Sequence, residues 1–444
     1  MNTNFARLQQ AAIFIIGCLL LIGGCQTTST TDAGKPGASA DVAALRSEFT
    51  SAPELSDRLE RLTDLESQAL QLADDEPLKL GSLGTAILDL YYGSLTGHYV
   101  MQRFYDHVEN TDTAAHHAQW IDKIRADMAA QAEGTADSPY PAITTVEPLA
   151  YARTLRLIPV GSIYRTNGDT PFALLMLARP KTGNLKSLHF DLVTLYQASE
   201  AKLKKKDQEF TPFELMAHLA RRGDTAAQAA IGAYLASHDR YDDASGWLRA
   251  SSRSGNVLAN NLLARVFWEQ SNLAKNDDTR QAALDQVLEN YMHAIALGST
   301  DAAYALSVLY LNEHYGKDNV SAGFPLLQQA VDAEHVGAIL YNAHLNYSGE
   351  MVPKDVAAAE ANYRRAAELQ SPAAQRAYAR FLLDRQQSSE PHEDTIKWLE
   401  KLADKKDPDA MLLLGNLNAR GIGTRNNPRR AVRWFEKAIA ASSE

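Results

Sequence analysis

DPDAMLLLGNLNARGIGTRNNPRRAVRWFEKA, from Asp407 to Ala438, is the stretch whose reading decides the fold. Ala410, Leu413, Leu414 and Leu417 stand at offsets 0, 3, 4 and 7, which puts them on one face of an α-helix. Ala431, Trp434, Phe435 and Ala438 repeat those offsets after a break. Asp407-Pro408 and Asn427-Pro428 are each a side-chain N-cap followed by proline at the first helical position. Gly421 and Gly423 fall between the two helical faces, where the chain has to reverse. The glycines therefore read as the loop of a helical hairpin rather than as a phosphate cradle.

Working outward, the same grammar recurs. Ala302, Ala338, Ala374 and Ala410 lie 36 residues apart. Ala294, Ala330, Ala366 and Ala438 keep the same phase, with Leu402 in the intermediate slot, and Gly349 stands two periods before Gly421. The apolar face repeats as Ala374, Ala377, Tyr378, Phe381, as Ala302, Ala305, Leu306, Leu309, and as Thr395, Trp398, Leu399, Leu402. Looser copies occur at Ala227, Ala230, Ile231, Tyr234 and at Ala259, Leu262, Leu263, Val266, with an insertion around Asn272 to Thr279. The spacing predicts about six helical hairpins over 224–444. Alanine at the repeated positions lets helices approach closely, and the larger residues fill the gaps between them.

Leu414-Gly415, Gly421-Ile422-Gly423, Pro428 and Trp434-Phe435-Glu436-Lys437-Ala438, with Tyr363-Arg364-Arg365-Ala366-Ala367, resemble the Sel-one-like repeat, a relative of the tetratricopeptide repeat. The unit that starts at Ala374 carries DRQQSSEPHED in place of the loop glycines. The resemblance implies an all-α solenoid of α/α hairpins that offers an extended concave surface to partner proteins.

At the other end, Arg7 precedes the apolar run Ala11 to Ile22, which has the length of a signal-peptide core and is short for a membrane span. Ile22-Gly23-Gly24-Cys25 resembles the lipobox of bacterial lipoproteins. That resemblance implies a signal peptide over 1–24, a lipid such as palmitate on Cys25, and a membrane anchor. Cys18 also follows a small residue, but cleavage there would leave apolar LLLI at the new terminus. The competing reading is an uncleaved anchor. Gln26 follows the cysteine in place of the Asp that the lipoprotein resemblance associates with inner-membrane retention, so the resemblance implies the outer membrane of a Gram-negative bacterium, facing the periplasm. The segment 25–41, rich in Thr, Ser, Gly and Ala, reads as a flexible tether. Both cysteines lie in this region, so the rest of the chain must be held by packing rather than by disulfides.

Between tether and repeats, 42–200 reads as an α+β domain, with helices over 42–133 and a β-rich part over 138–195. LRLIPVGSIY, PFALLMLARP and LKSLHFDLV are strand-like runs joined by the turn sequences TNGD and KTGN, and predict an antiparallel sheet with flanking helices. A linker helix is expected over 201–223. A formal net charge of −10 argues against nucleic acid as a partner.

Several side chains are candidates for chemistry. His98, His107, His116 and His117, with Asp106 and Asp122, are dense in metal-ligating types but lack an i, i+4 pairing of the zinc-enzyme kind, so neither metal nor cofactor is expected. His189 and Asp191 share one strand face and Tyr164 lies on a neighbouring run, an arrangement capable of acid–base work. Ser162 follows Gly161 without a nucleophile elbow. Lys202, Lys204, Lys205 and Lys206 could contact lipid headgroups or an anionic polysaccharide, or simply form a solvated helix face. Tyr304, Tyr341, Tyr363 and Tyr378 fall at or beside core offsets, which favours packing over sugar stacking. Arg420, Arg425, Arg429, Arg430 and Arg433 stand mostly off the apolar positions and are expected to face outward toward an acidic partner.

The function expected from these features is a lipid-anchored scaffold at the outer membrane that binds protein partners of an envelope assembly. It resembles, in anchor plus repeat, the lipoproteins that assemble exopolysaccharide secretion machines, such as the alginate-export scaffold. The alternative is an envelope hydrolase with its active site in 140–200 and the solenoid as a recruiting arm. The disulfide-stapled repeat proteins linked to β-lactam binding are disfavoured, since their paired cysteines are missing.

Overall fold

Residues 299, 335, 371 and 407 set the phase of the C-terminal fold. Ser299, His335, Ser371 and Asp407 each accept a hydrogen bond from the backbone N–H three residues on, that of Ala302, Ala338, Ala374 and Ala410. A side-chain acceptor at this place satisfies a donor that the first helical turn leaves open. The residue just before each cap, Gly298, Glu334, Gln370 or Lys406, has a positive φ that ends the preceding helix. One helix thus stops and the next begins within two residues, once every 36.

A computed structural model describes residues 41–167, 170–204, 208–385 and 393–442. Cys25 with its flanking signal and tether, and Lys205 and Lys206, lie outside the described residues. The chain from Val42 opens with α1 (Val42–Thr50), α2 (Leu55–Leu72), α3 (Leu80–Leu90), α4 (Leu95–His107) and α5 (Thr111–Gln131). It continues through β1 (Tyr140–Pro141), α6 (Glu147–Thr154), β2 (Ile158–Asn167), β3 (Thr170–Arg179), β4 (Lys186–Asp191), α7 (Val193–Leu203) and α8 (Pro212–Arg221). The sheet order is β1-β4-β3-β2. β3 is central and buried along most of its length, as its unbroken run of apolar residues requires.

Two expectations are corrected here. The sheet is mixed, because β1 joins parallel to β4 through Tyr140 beside Phe190 and Pro141 beside Asp191. Two residues cannot display alternation, so this strand has no signature in the sequence. The segment 201–223 is not one helix: α7 stops at Leu203 and α8 restarts at Pro212, with the Thr211 N–H donating to Glu214 Oε2 at 2.9 Å. Proline lacks the N–H that a continuing helix needs, and the Thr-x-x-Glu box opens a new one.

Six helical hairpins follow among the described residues: α9 (Thr225–Ser237) with α10 (Tyr241–Arg253), α11 (Val257–Leu273) with α12 (Asp277–Ala296), α13 (Thr300–Leu311) with α14 (Gly323–Asp332), α15 (Val336–Ser348) with α16 (Val356–Glu368), α17 (Pro372–Arg385) with α18 (Glu393–Asp404), and α19 (Pro408–Arg420) with α20 (Pro428–Ser442). Ala302, Ala338, Ala374 and Ala410 are each fully buried at the contacts the period predicts. The insertion near 272–279 lengthens α11 to 17 residues and α12 to 20 instead of adding a loop. A side chain at Gly415 would run into the Phe435 ring, so α19 and α20 meet closely only because that position is glycine.

The sheet is not separate from the repeats. β2 packs on α9 and α11. Asn256, the cap of α11, donates to Ser162 O at 2.7 Å and accepts from Ser162 N–H at 3.2 Å. The chain is therefore an α+β part continuous with an all-α hairpin solenoid. Among the described residues no helix is long and apolar enough to cross a membrane.

Candidate functional site

Sheet register decides the fate of the acid–base candidates. Tyr164 lies across from Leu174, which lies across from Phe190, so these three share a face. His189 pairs with Leu175 and Asp191 with Ala173, one residue out of phase, and successive residues of a strand point to opposite faces. Tyr164 therefore projects away from His189 and Asp191, and the three are not brought together. Each has its own local role. Tyr164 is buried, stacks on Phe172, and donates to Asp224 Oδ2 at 3.1 Å. Asp191 accepts from the Val193 N–H at 2.7 Å and so opens α7. Ser162 is held by its backbone to Asn256.

The histidines on α4 and α5 form a buried core contact. His98 Nδ1 and His117 Nδ1 are 2.9 Å apart, and His98 Nε2 is 2.9 Å from the Tyr92 carbonyl. A carbonyl only accepts, so the His98 proton sits on Nε2, its Nδ1 is bare, and His117 Nδ1–H donates to it. His98 stacks on Trp120 with the rings 5.1 Å apart. Burial, reinforced by His117, pushes its pKa down to about 3. The bare nitrogen points at His117 rather than into an open site, His107 is exposed at the end of α4, and Asp122 pairs with Arg125. No three metal-ligating side chains converge among the described residues.

One titratable cluster was not anticipated. Glu66 on α2 is 2 % exposed and accepts from Ser94 Oγ at 2.7 Å and Thr144 Oγ1 at 2.6 Å. Glu147, equally buried, accepts from the Ile143 N–H at 2.8 Å and from Arg46 Nη2 at 3.3 Å. Desolvation raises Glu66 to about 7, with the Glu147 charge adding to it against the hydroxyl donors. The signal was present in α2, where Glu66 follows Leu59 and Leu62 along the buried face.

The two described lysines of the basic run, Lys202 and Lys204, are absorbed into the fold. Lys202 reaches Asp57 at 2.7 Å and Glu60 at 2.8 Å, Lys204 pairs with Glu200, and Arg222 reaches Asp64 at 2.9 Å. Lys202 and Arg222 with Glu60 and Asp64 edge a cleft of about 390 Å³ between α2, α7 and α8, lined also by Leu149, Leu195, Leu215 and Leu219. Of the tyrosines, Tyr378 is buried and Tyr304, Tyr341 and Tyr363 pack half-buried on the hairpin cores.

The arginines of the last hairpin divide into two groups. Arg420 Nη1 donates to Leu383 O at 3.0 Å and Arg430 pairs with Glu400, so both fasten the sixth hairpin to the fifth. Arg425, Arg429 and Arg433 are exposed and make no ion pair among the described residues. Val432 on α20 is 53 % exposed, Ile439 67 %, and Leu412 on α19 43 %.

A family model matches two of these hairpins. The model of the Sel1 repeat family matches residues 343–371 and 408–443, which span α15–α16 and α19–α20. The unmatched α17–α18 hairpin is the one whose loop lacks glycines. Among solved structures, a protective antigen of uropathogenic Escherichia coli strains with an SLR fold is 17% identical and covers 90% of this chain and 79% of its own, with a TM-score of 0.41. A Sel1 repeat protein from Oxalobacter formigenes is 19% identical and covers 56% of this chain and 83% of its own, with a TM-score of 0.31. No curated protein matches the sequence. Repeats of the Sel1 class serve protein–protein interaction. Capped, alanine-packed hairpins thus repeat every 36 residues, and the fourth and sixth of them are similar to the Sel1 repeat.

Proposed function

We propose that the chain is a lipid-anchored scaffold at the periplasmic face of the outer membrane, holding protein partners of an envelope or exopolysaccharide-secretion assembly. The observation that carries this reading is the solenoid itself, whose last helix presents an apolar edge and, among the described residues, arginines without an ion pair to solvent. Its action is binding, without a reaction. The lipobox-like Ile22-Gly23-Gly24-Cys25 supports the anchor. Confinement to a thin layer at the membrane raises the effective concentration toward membrane-bound partners, so modest affinities suffice. Anionic polysaccharide is a further class of contact for the exposed cations.

Two measurements test the reading. Labelling with a palmitate analogue should mark the wild type, and Cys25→Ala should abolish the label and release the protein from the membrane fraction. Photo-crosslinking in cells from the concave and terminal faces of the solenoid should capture the same partner reproducibly. A Cys25→Ala chain that stays labelled and membrane-bound refutes the anchor, and an absence of any reproducible partner refutes the scaffold.

A further inference from the structure

Beside its buried face, α2 carries a second stripe, Ser56, Glu60, Thr63, Ser67 and Gln71, in which neighbours lie one helical turn apart. This stripe forms one wall of the cleft that holds Lys202 and Arg222. A second cavity, of about 570 Å³, shares Ser67, Gln71, Val146 and Leu149 with that cleft, so the two make one groove. Leu195, Leu215, Leu149, Leu70, Leu157 and Ile158 line it from the α8 end to the start of β2, and Ile158 is 56 % exposed. From Ser56 to Gln71 the ridge runs about 23 Å at the helical rise, the span of about seven extended residues.

Three features select the occupant. Ser56, Thr63, Ser67 and Gln71 have no side-chain hydrogen-bond partner among the described residues, and neither has Ser199, which lines the cleft at 7 % exposure. An acyl chain would leave these groups unanswered, whereas peptide N–H and C=O groups answer acceptors and donors alike. Next, ion pairs tie the walls together, Arg222 to Asp64 at 2.9 Å and Arg153 to Asp74 at 3.6 Å. Walls one salt bridge apart are too close for a helix about 10–12 Å across. Finally, the two ends differ in charge. At the α8 end Asp57, Glu60 and Asp64 outnumber Lys202 and Arg222, and burial, reinforced by Arg222, holds His218 below the usual imidazole range. At the other end Arg103 and Arg153 share Asp74, and the exposed Arg156 has no ion pair among the described residues. Resting on the scaffold reading above, we infer that this groove takes an extended segment of a partner protein. The segment places a cation at the α8 end, alternate apolar side chains against the leucines, and a carboxylate at Arg156.

Selection of a random nonapeptide display library on the full chain tests this. Wild type should enrich peptides with Lys or Arg near one end, Asp or Glu near the other, and apolar residues at alternate positions between. Ser67→Trp blocks the groove where its halves join and should enrich none of them, with an unchanged melting temperature as the check on folding. In fluorescence anisotropy with a selected peptide, Ser67→Trp should weaken binding at least about tenfold. Arg156→Glu should weaken it about fivefold, and changing the peptide's carboxylate to lysine should restore it. Should Ser67→Trp fail to fold, that charge swap decides the matter, with Gln71→Ala expected to weaken binding about threefold. Enrichment of nothing, or of apolar peptides whatever their end charges, overturns the inference. So does tighter peptide binding after deletion of residues 26–40, which would give the groove to the chain's own tether, or a dimer in light scattering that Ser67→Trp abolishes. The scaffold reading is judged separately: selected peptides with no partner captured in cells uphold the groove and overturn that reading, whereas a captured partner with no selected peptide does the reverse.

Discussion

At the scale of single residues, the buried titratable groups oppose each other in their pH dependence. Glu66 is raised from 4.5 to about 7, so the stability it allows is fully present below 4.5 and is lost as pH rises through 7. His98 is lowered from 6.5 to about 3, so its share is present above 6.5 and is lost as pH falls toward 3. Between these limits one slope masks the other. Replacing Glu66 by Gln removes the first term, and denaturant titrations should then show greater stability at pH 8, by up to about 3 kcal/mol, with a steeper decline on acidification. The His98 ring resonance in NMR should stay flat between pH 8 and 5; a midpoint near 6.5 would mean that the Nδ1–Nδ1 contact is open. Glu66 was legible in the sequence as a charge at a core offset. His98 was legible as one of four nearby histidines, but not as the one whose nitrogen is sealed by His117.

At the scale of elements, the hairpins are limited by their stops more than by their starts. Glu334, Gln370 and Lys406 hold φ of 60°, 59° and 65°, a left-handed conformation in which a Cβ crowds the following carbonyl, while Gly298 fills the same slot without that cost. Gln370→Gly should raise stability by about 0.5 to 1 kcal/mol and Gly298→Ala should lower it by a similar amount, measured by thermal unfolding. Asp407→Ala should cost about 1 kcal/mol or more, because it removes both the N-cap of α19 and the partner of Arg376. The starts of α17 and α19 were visible as the cap-plus-proline pairs Ser371-Pro372 and Asp407-Pro408. The stops were not, since glutamate, glutamine and lysine carry no signal for positive φ, and only their position one residue before a cap explains it.

At the scale of the whole molecule, Asn256 is the rivet between sheet and solenoid, bonded to both backbone groups of Ser162 and to Ser251 at 2.9 Å. Asn256→Ala strands those buried groups, and a loss of about 2 kcal/mol or more is expected, with calorimetry showing the single unfolding transition broadening or splitting as the two parts uncouple. By itself the sequence determined the repeat, its phase and its hairpin count, because close packing of identical units forces small residues to recur at a fixed spacing. It also marked which arginines lie off the apolar face. Tertiary structure alone decided which of those arginines are spent on the neighbouring hairpin, since Leu383 O and Glu400 reach Arg420 and Arg430 across one period rather than along the chain. It alone separated Tyr164 from His189 and Asp191, because a one-residue offset in register sends a side chain to the other face of the sheet. Local periodicity encodes what a segment buries; only the assembled fold determines which groups meet.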